Sequence, residues 1–360
     1  MSEIKVNSIK GVGASAAAIT VNNTDGTCSA KLTDNGGLQF ANRNKIINGE
    51  FRVNQRNHTG SAGHNAYTLD RWKYARSANT EFSQDQSTVT PDGFANSVKM
   101  TSIGSNGSTG TGDYAYWRYF IEGQDLQELN KGTSAATAFT LSFYFKSDTT
   151  GTFAITVLDQ NSRMCNANYT VSNTNWNRYT ITIPADTSGA IANDIAAGLE
   201  IKFWLIAGSN YTSGSAVHTW GSYSAASEAT GFNAHITTNG VNLYLTGVQL
   251  EVSDYVTPFE HRSYAQELAL CCRYFQFLGR TDRLVYVTQT LGNYNPVAFL
   301  VFPVEMRTTP TATVNQTYNS NGTISTSDLS PRNLAINMAR GSSSAAAMQA
   351  EFEIQLSAEL

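Results

Sequence analysis

Charge is scarce in this sequence of 360 residues. Asp, Glu, Lys and Arg make up 14% of it, against about a quarter in an ordinary soluble domain. The net charge is −4 and there is no basic run, so binding to nucleic acid through counterion release is excluded. No apolar stretch approaches the roughly 20 residues of a membrane helix, and no membrane insertion is expected. The opening run MSEIKVNSIK lacks the apolar segment of a secretory signal. Cysteines number only 4, and two of them, Cys271 and Cys272, are adjacent on a predicted helix, where they point different ways. No disulfide framework is expected; all four should be reduced, which places synthesis in a reducing cytoplasm.

Several motifs of catalysis are also missing. There is no phosphate-binding loop, dinucleotide fingerprint, zinc-protease pair or nucleophile elbow. The histidines, His58, His64, His218, His235 and His261, are scattered and form no pair at helical spacing, so no metal site is expected. A glycosidase needs two positioned carboxylates. Glu122, Asp125 and Glu128 are close in sequence, but they lie in a turn after a strand, where solvated acids are ordinary. Neither a catalytic residue nor a cofactor is expected, and the chain reads as a non-enzyme.

What is present points to β-structure. Glycines number 28 against 7 prolines, with 17 Tyr, 17 Phe and abundant Ser, Thr and Asn. This is the composition of an all-β chain with many turns, long enough for two or three domains. Phe139, Leu141, Phe143 and Phe145 alternate with Thr140, Ser142, Tyr144 and Lys146, the period of a strand with one buried face. Phe153, Ile155 and Val157 return after the turn Asp148–Gly151. Tyr179, Ile181 and Ile183 read as inward, with Arg178, Thr180 and Thr182 outward. Leu199, Ile201, Phe203 and Leu205 oppose Glu200, Lys202 and Trp204. Asp70 and Arg71 read as a hydrogen-bonded anchor beside a core Trp72, and Trp176 as a core residue at the sandwich edge.

The stretch Gly240–Arg262 closes this series. Leu243 and Leu245 share one face; Tyr244, Val248, Leu250 and Val252 fall largely on the other, with slip near Gly247. A strand apolar on both faces belongs at the centre of a sheet. Pro258 ends its ladder. Ser263 and Gln266 then have capping-box spacing. Leu268, Cys271, Cys272, Phe275 and Leu278 form a helical stripe that Gly279 would cap. Short strands follow at Leu284–Thr290, Val297–Phe302, Thr311–Thr317, Leu334–Ala339 and Met348–Leu356.

Three runs carry a family resemblance: NKIINGEFRVNQR with YTLDRW, EGQDLQELNKGTSAATAFTLSFYFKSDTTGTF, and TGVQLEVSDYVTPFEHRSYAQELALCCRYFQ. Spanning roughly Asn44 to Gln276, they resemble the jelly-roll domain of tail-fibre and virion-appendage proteins of marine tailed phages, domains themselves similar to carbohydrate-binding modules. The fold expected is a jelly-roll β-sandwich (44–262) with an extended N-terminal arm (1–43), one linking helix (263–279) and a small C-terminal β domain (280–360). The resemblance implies a virion protein, a homotrimeric tail-fibre-type subunit that attaches to tail or capsid proteins through residues 1–43 and recognises host-surface polysaccharide. The alternatives are a purely structural head fibre, capsid decoration or tail adaptor protein, and a capsular depolymerase. Solenoid-like repeats of the kind common in such depolymerases are not seen.

Sugars are held by aromatic rings stacked on their C–H faces and by hydrogen bonds, so candidate contacts are aromatics on otherwise polar faces. Tyr144 with Lys146, Trp204 with Glu200 and Lys202, and the loop residue Trp220 meet that description.

Overall fold

The computed structural model describes residues 42–279 apart from 105–107, 216–217, 235 and 237; then 284–288, 297–340 apart from 321, and 348–360. Before Asn42 it describes Thr24 and three short strands, Ser8–Ile9, Ile19–Val21 and Cys28–Ala30, which pair antiparallel. The remainder of the expected arm, the side chain of Cys28 and the residue His235 lie outside the described residues.

Two antiparallel sheets form the larger sandwich. One runs, edge to edge, Gly221–Ser222, Arg163–Val171, Gly151–Asp159, Ala197–Ala207, Tyr114–Glu122, Trp72–Arg76 and Ala66–Tyr67. The other runs Asn177–Ile183, Phe139–Ser147, Asn242–Glu251, Ser97–Ser102 and Phe82–Ser87. Aromatic rings join them across the core. Phe143 meets Phe203 edge-on with ring centroids 5.3 Å apart, and Phe145 meets Phe153 at 5.1 Å. Trp72 is fully buried between Phe51 and Trp117, and its indole N–H donates to the Asn48 carbonyl at 3.2 Å. Beside it Asp70 accepts hydrogen bonds from Gln55, as expected of an anchor.

Asn242–Glu251 is the middle strand of its sheet. A bulge between Thr246 and Gln249 puts Leu243, Leu245, Val248 and Leu250 all in the core. Gly247 supplies the required left-handed backbone (φ +61). The strand therefore keeps one polar face, where the alternation alone read both faces as apolar.

The helix spans Tyr264–Cys272 and is capped reciprocally by Ser263 and Gln266. It ends earlier than its apolar stripe. Phe275–Leu278 is a strand, paired with Met348–Ser357. Pairing with a buried partner strand carrying Ile354 and Leu356 overrides the local helical period, and Gly279 (φ +77) makes a turn instead of a helix cap.

A second, smaller sandwich follows. Met348–Ser357 pairs with Thr311–Ser320, Phe275–Leu278 and Leu284–Thr288; the facing sheet is Val297–Val301, Asn333–Arg340 and Gly322–Ser327. Leu334, Ile336, Met338, Phe352, Ile354 and Leu356 form its core. Gly322–Ser327, Phe82–Ser87 and Arg163–Val171 escaped the sequence reading because their polar residues mask the alternation. Val297–Val301 pairs with one neighbour among the described strands and leaves Val297, Phe299 and Val301 exposed in a row.

Candidate functional site

The outer face of the five-stranded sheet combines aromatic rings with cationic groups that hold no carboxylate among the described residues. Its floor comes from strand alternation. With Leu141, Phe143 and Phe145 turned to the core, Tyr144 and Lys146 must point outward. Register then assembles residues from four strands: Arg178 lies opposite Tyr144, and Tyr244 lies between Lys146 and Lys99. The Arg178 guanidinium carbon is 5.9 Å from the Tyr144 ring centroid, and Lys146 Nζ is 5.4 Å from that of Tyr244. Both are cation–π distances.

Two further rings flank the floor. Phe94 packs on Tyr144 at 5.1 Å, and Trp176 on Tyr244 at 6.1 Å. Phe94 reaches the sheet because Gly247 has no side chain. A Cβ there would lie 2.7 Å from the Phe94 ring and 2.9 Å from Tyr144. Tyr144, Lys146, Lys99 and Trp176 are partly exposed and Arg178 is exposed, whereas Tyr244 is 8% exposed. Burial, with the charge of Asp148 behind it, raises the Tyr244 phenol above its usual value, so it stays neutral. The other end of the face is covered: Thr257 bonds to Glu251, and Thr140 to the Ser253 carbonyl. The open end therefore offers rings for stacking and cations and a phenol for hydrogen bonds.

The remaining predicted residues lie elsewhere. Glu200, Lys202 and Trp204 do point away from the core, on the outer face of the seven-stranded sheet, but the part of that face around Trp204 is covered. Trp204 is fully buried against Tyr116 and Tyr211, and its N–H donates to Thr156 Oγ1 at 2.8 Å. This corrects its reading as an exposed platform. The cause is the segment after Ala207, which folds back over the sheet: Thr156 and Asn166 bond to the Glu228 and Ser227 carbonyls, each at 2.7 Å. Lys202 is buried in an ion pair with Glu228 at 2.6 Å, and Glu200 pairs with Arg118 at 3.0 Å. Neither is free to meet a ligand.

Trp220 is partly buried against the sandwich core, bonded to the Pro184 carbonyl at 2.9 Å, with Lys131 Nζ 4.4 Å from its ring. Of the candidates, only Tyr144 and Lys146 share the open face. Sequence reasoning missed Tyr244, Arg178, Lys99 and Phe94 as members, and set Trp176 aside as a core residue. Arg178 had already read as outward, but strand register, which places it beside Tyr144, is not written in local sequence.

Among the acids weighed for catalysis, Glu122 is fully buried and held by Arg273 at 2.9 Å. Burial and the neighbouring Glu122 charge push Asp125 upward, and Glu128 pairs with Lys45. Among the described residues no three His, Cys, Asp or Glu side chains gather as metal ligands. A groove of about 680 Å³ runs beside the helix, lined by residues including Arg262, Leu270, Arg273 and Val304; no predicted site residue lines it.

No protein-family model matches the chain, and no curated protein matches it. Among solved structures it is similar to the enzymatically active domain of bacteriophage CBA120 tailspike protein 4, at 13% identity over 58% of this chain and 21% of that one (TM-score 0.32). It thus spans about a fifth of that chain. It is also similar to a family 11 carbohydrate-binding module from Clostridium thermocellum in complex with a β-1,3-1,4-mixed-linked tetrasaccharide, at 10% identity over 54% and 96% of the two chains (TM-score 0.29). A CBM4 structure matches at 16% identity over 57% and 98% (TM-score 0.31). At these identities and scores none of them bears on what this chain binds.

Proposed function

We propose that this protein is a virion appendage subunit of the tail-fibre type, which recognises host-surface glycans through the outer face of its five-stranded sheet. The observation that carries the proposal is the placement of Tyr144, Tyr244 and Trp176 beside Lys146, Lys99 and Arg178 on one open sheet face. Rings in such a setting stack on sugars while the polar groups fix orientation. The resemblance of the runs between Asn44 and Gln276 to phage appendage proteins supports the virion setting. In this reading the protein is made in the host cytoplasm, assembles as a homotrimer, and attaches to tail or capsid through residues 1–43. It binds rather than cleaves, since Glu122 is committed to Arg273.

A spacer role, as a head fibre, decoration protein or adaptor, is the second reading. The covering of Trp204 and Lys202 on the outer face of the seven-stranded sheet favours it, because it takes that platform out of solvent. A glycan array separates the two. The proposal expects hits that a Tyr144→Ala/Trp176→Ala variant loses; a folded protein that binds no glycan is a spacer.

A further inference from the structure

We infer that the glycan taken by this face is anionic, a saccharide bearing carboxylate or sulfate groups. The inference rests on the glycan-binding reading of the same face and adds the ligand's charge. Three cationic side chains, Lys99, Lys146 and Arg178, belong to a chain whose net charge is −4. Strand register concentrates them around Tyr144 and Tyr244.

None of the three forms an ion pair among the described residues. Among the described residues Lys99 and Lys146 have no carboxylate partner, and Lys146 has the Tyr244 ring as its neighbour. Arg178 donates to Ser142 Oγ and the Thr257 carbonyl, both uncharged. Three carboxylates border the face and keep their charge, but among the described residues none of them forms an ion pair with Lys99, Lys146 or Arg178. Asp85, across from Lys99, accepts the Gly60 N–H at 2.9 Å. Asp148 accepts both the backbone and side-chain N–H groups of Asn242, at 3.0 and 2.7 Å. Glu251, 3% exposed, accepts from Thr257 at 2.9 and 2.6 Å. Elsewhere in the sandwich Arg118, Lys131, Arg163 and Lys202 each hold a carboxylate, whereas Arg52 donates to the Arg262 carbonyl. An open face with cations left unpaired, next to rings that suit a pyranose, is complementary to a negatively charged sugar.

The test compares the full chain with a Lys99→Met/Lys146→Met variant on one array carrying neutral polysaccharides, polygalacturonate, its carboxyl-reduced form, a sulfated galactan and polyglutamate. The wild type should bind anionic members, with about tenfold loss of affinity per cation removed and an unchanged melting temperature. If the Met variant melts early, the Lys99→Gln/Lys146→Gln pair replaces it. Loss on carboxyl reduction assigns carboxylate, and retention on the sulfated galactan alone assigns sulfate; either supports the inference. Neutral glycans bound equally by wild type and variant overturn it while leaving glycan recognition intact. Polyglutamate bound as tightly as any saccharide overturns it as charge without sugar recognition. Binding to no member overturns both readings.

Discussion

Arg71 donates to Glu359 across the two sandwiches at 2.7 Å, and both side chains are almost fully buried. The guanidinium also lies 3.4 Å from the Tyr274 ring centroid and bonds to the Phe120 carbonyl at 2.7 Å. Arg56 reaches the same carboxylate at 3.0 Å, and Arg307 donates to the Ile195 carbonyl at 2.7 Å. The small sandwich is thereby locked to the jelly roll by buried charge. Glu359→Gln leaves Arg71 buried without its counter-charge, and a loss of about 3–5 kcal/mol is expected in equilibrium denaturation. An unchanged midpoint would mean that the two sandwiches are held together by something else.

Trp204 and Tyr144 should respond in opposite ways. Trp204→Ala empties a buried site and drops the bond to Thr156, so about 3–5 kcal/mol of stability should go. Tyr144→Ala removes a partly exposed ring and should cost far less stability while lowering glycan affinity about tenfold, or about 1.4 kcal/mol. Thermal melts read beside binding isotherms separate the two.

Gly247→Ala places a Cβ against Phe94 at a left-handed backbone position. A penalty of about 1–2 kcal/mol from the backbone is expected, together with displacement of Phe94. The signature is weakened binding larger than the stability loss predicts, read by the same two measurements.

Lys131 is held by Asp159, by Asp186 at 2.8 Å, and by the Ser188 and Gly189 carbonyls at 3.0 Å each. Burial pushes Asp186 upward, but hydrogen bonds from Arg163, Lys131 and the Ser188 N–H outweigh it and hold the group at about 2. A carboxylate lowered from an ordinary 3.8 contributes stability that is complete above that value and is lost as pH falls toward 2. The melting temperature should therefore drop between pH 4 and 2. Asp186→Asn should melt lower at pH 7 yet show a shallower drop over that range.

Phe299, 69% exposed, sits with Val297 and Val301 on a strand that has one neighbour among the described strands. Such a row favours burial against another copy of the chain. Phe299→Ser should shift the protein toward smaller species in light scattering at micromolar concentration, with little change in melting. An unchanged molar mass would place the subunit contact elsewhere.

The sandwich was legible because buried strands write a period of 2 into the sequence. Phe139–Phe145 and Leu199–Leu205 carried it plainly, and Ser263 with Gln266 announced the helix start. The helix end was not legible, since Phe275 and Leu278 suit a stripe as well as a strand until Ile354 and Leu356 arrive from far along the chain. The site was half legible for the same reason. Alternation showed that Tyr144 and Trp204 both leave the core. Whether an outward face stays open depends on distant segments: Tyr211 and Ala229 close over Trp204, whereas Tyr144, with Phe94 beside it, stays partly exposed.

The most direct measurement is a structure of the protein with a glycan selected from the array. The sugar ring should lie on the open face between Phe94 and Trp176, against Tyr144 and Tyr244, with its charged group toward Lys99, Lys146 or Arg178. A sugar seated instead at Trp220, or in the groove beside Arg273, would contradict the assignment of this face as the receptor-binding surface.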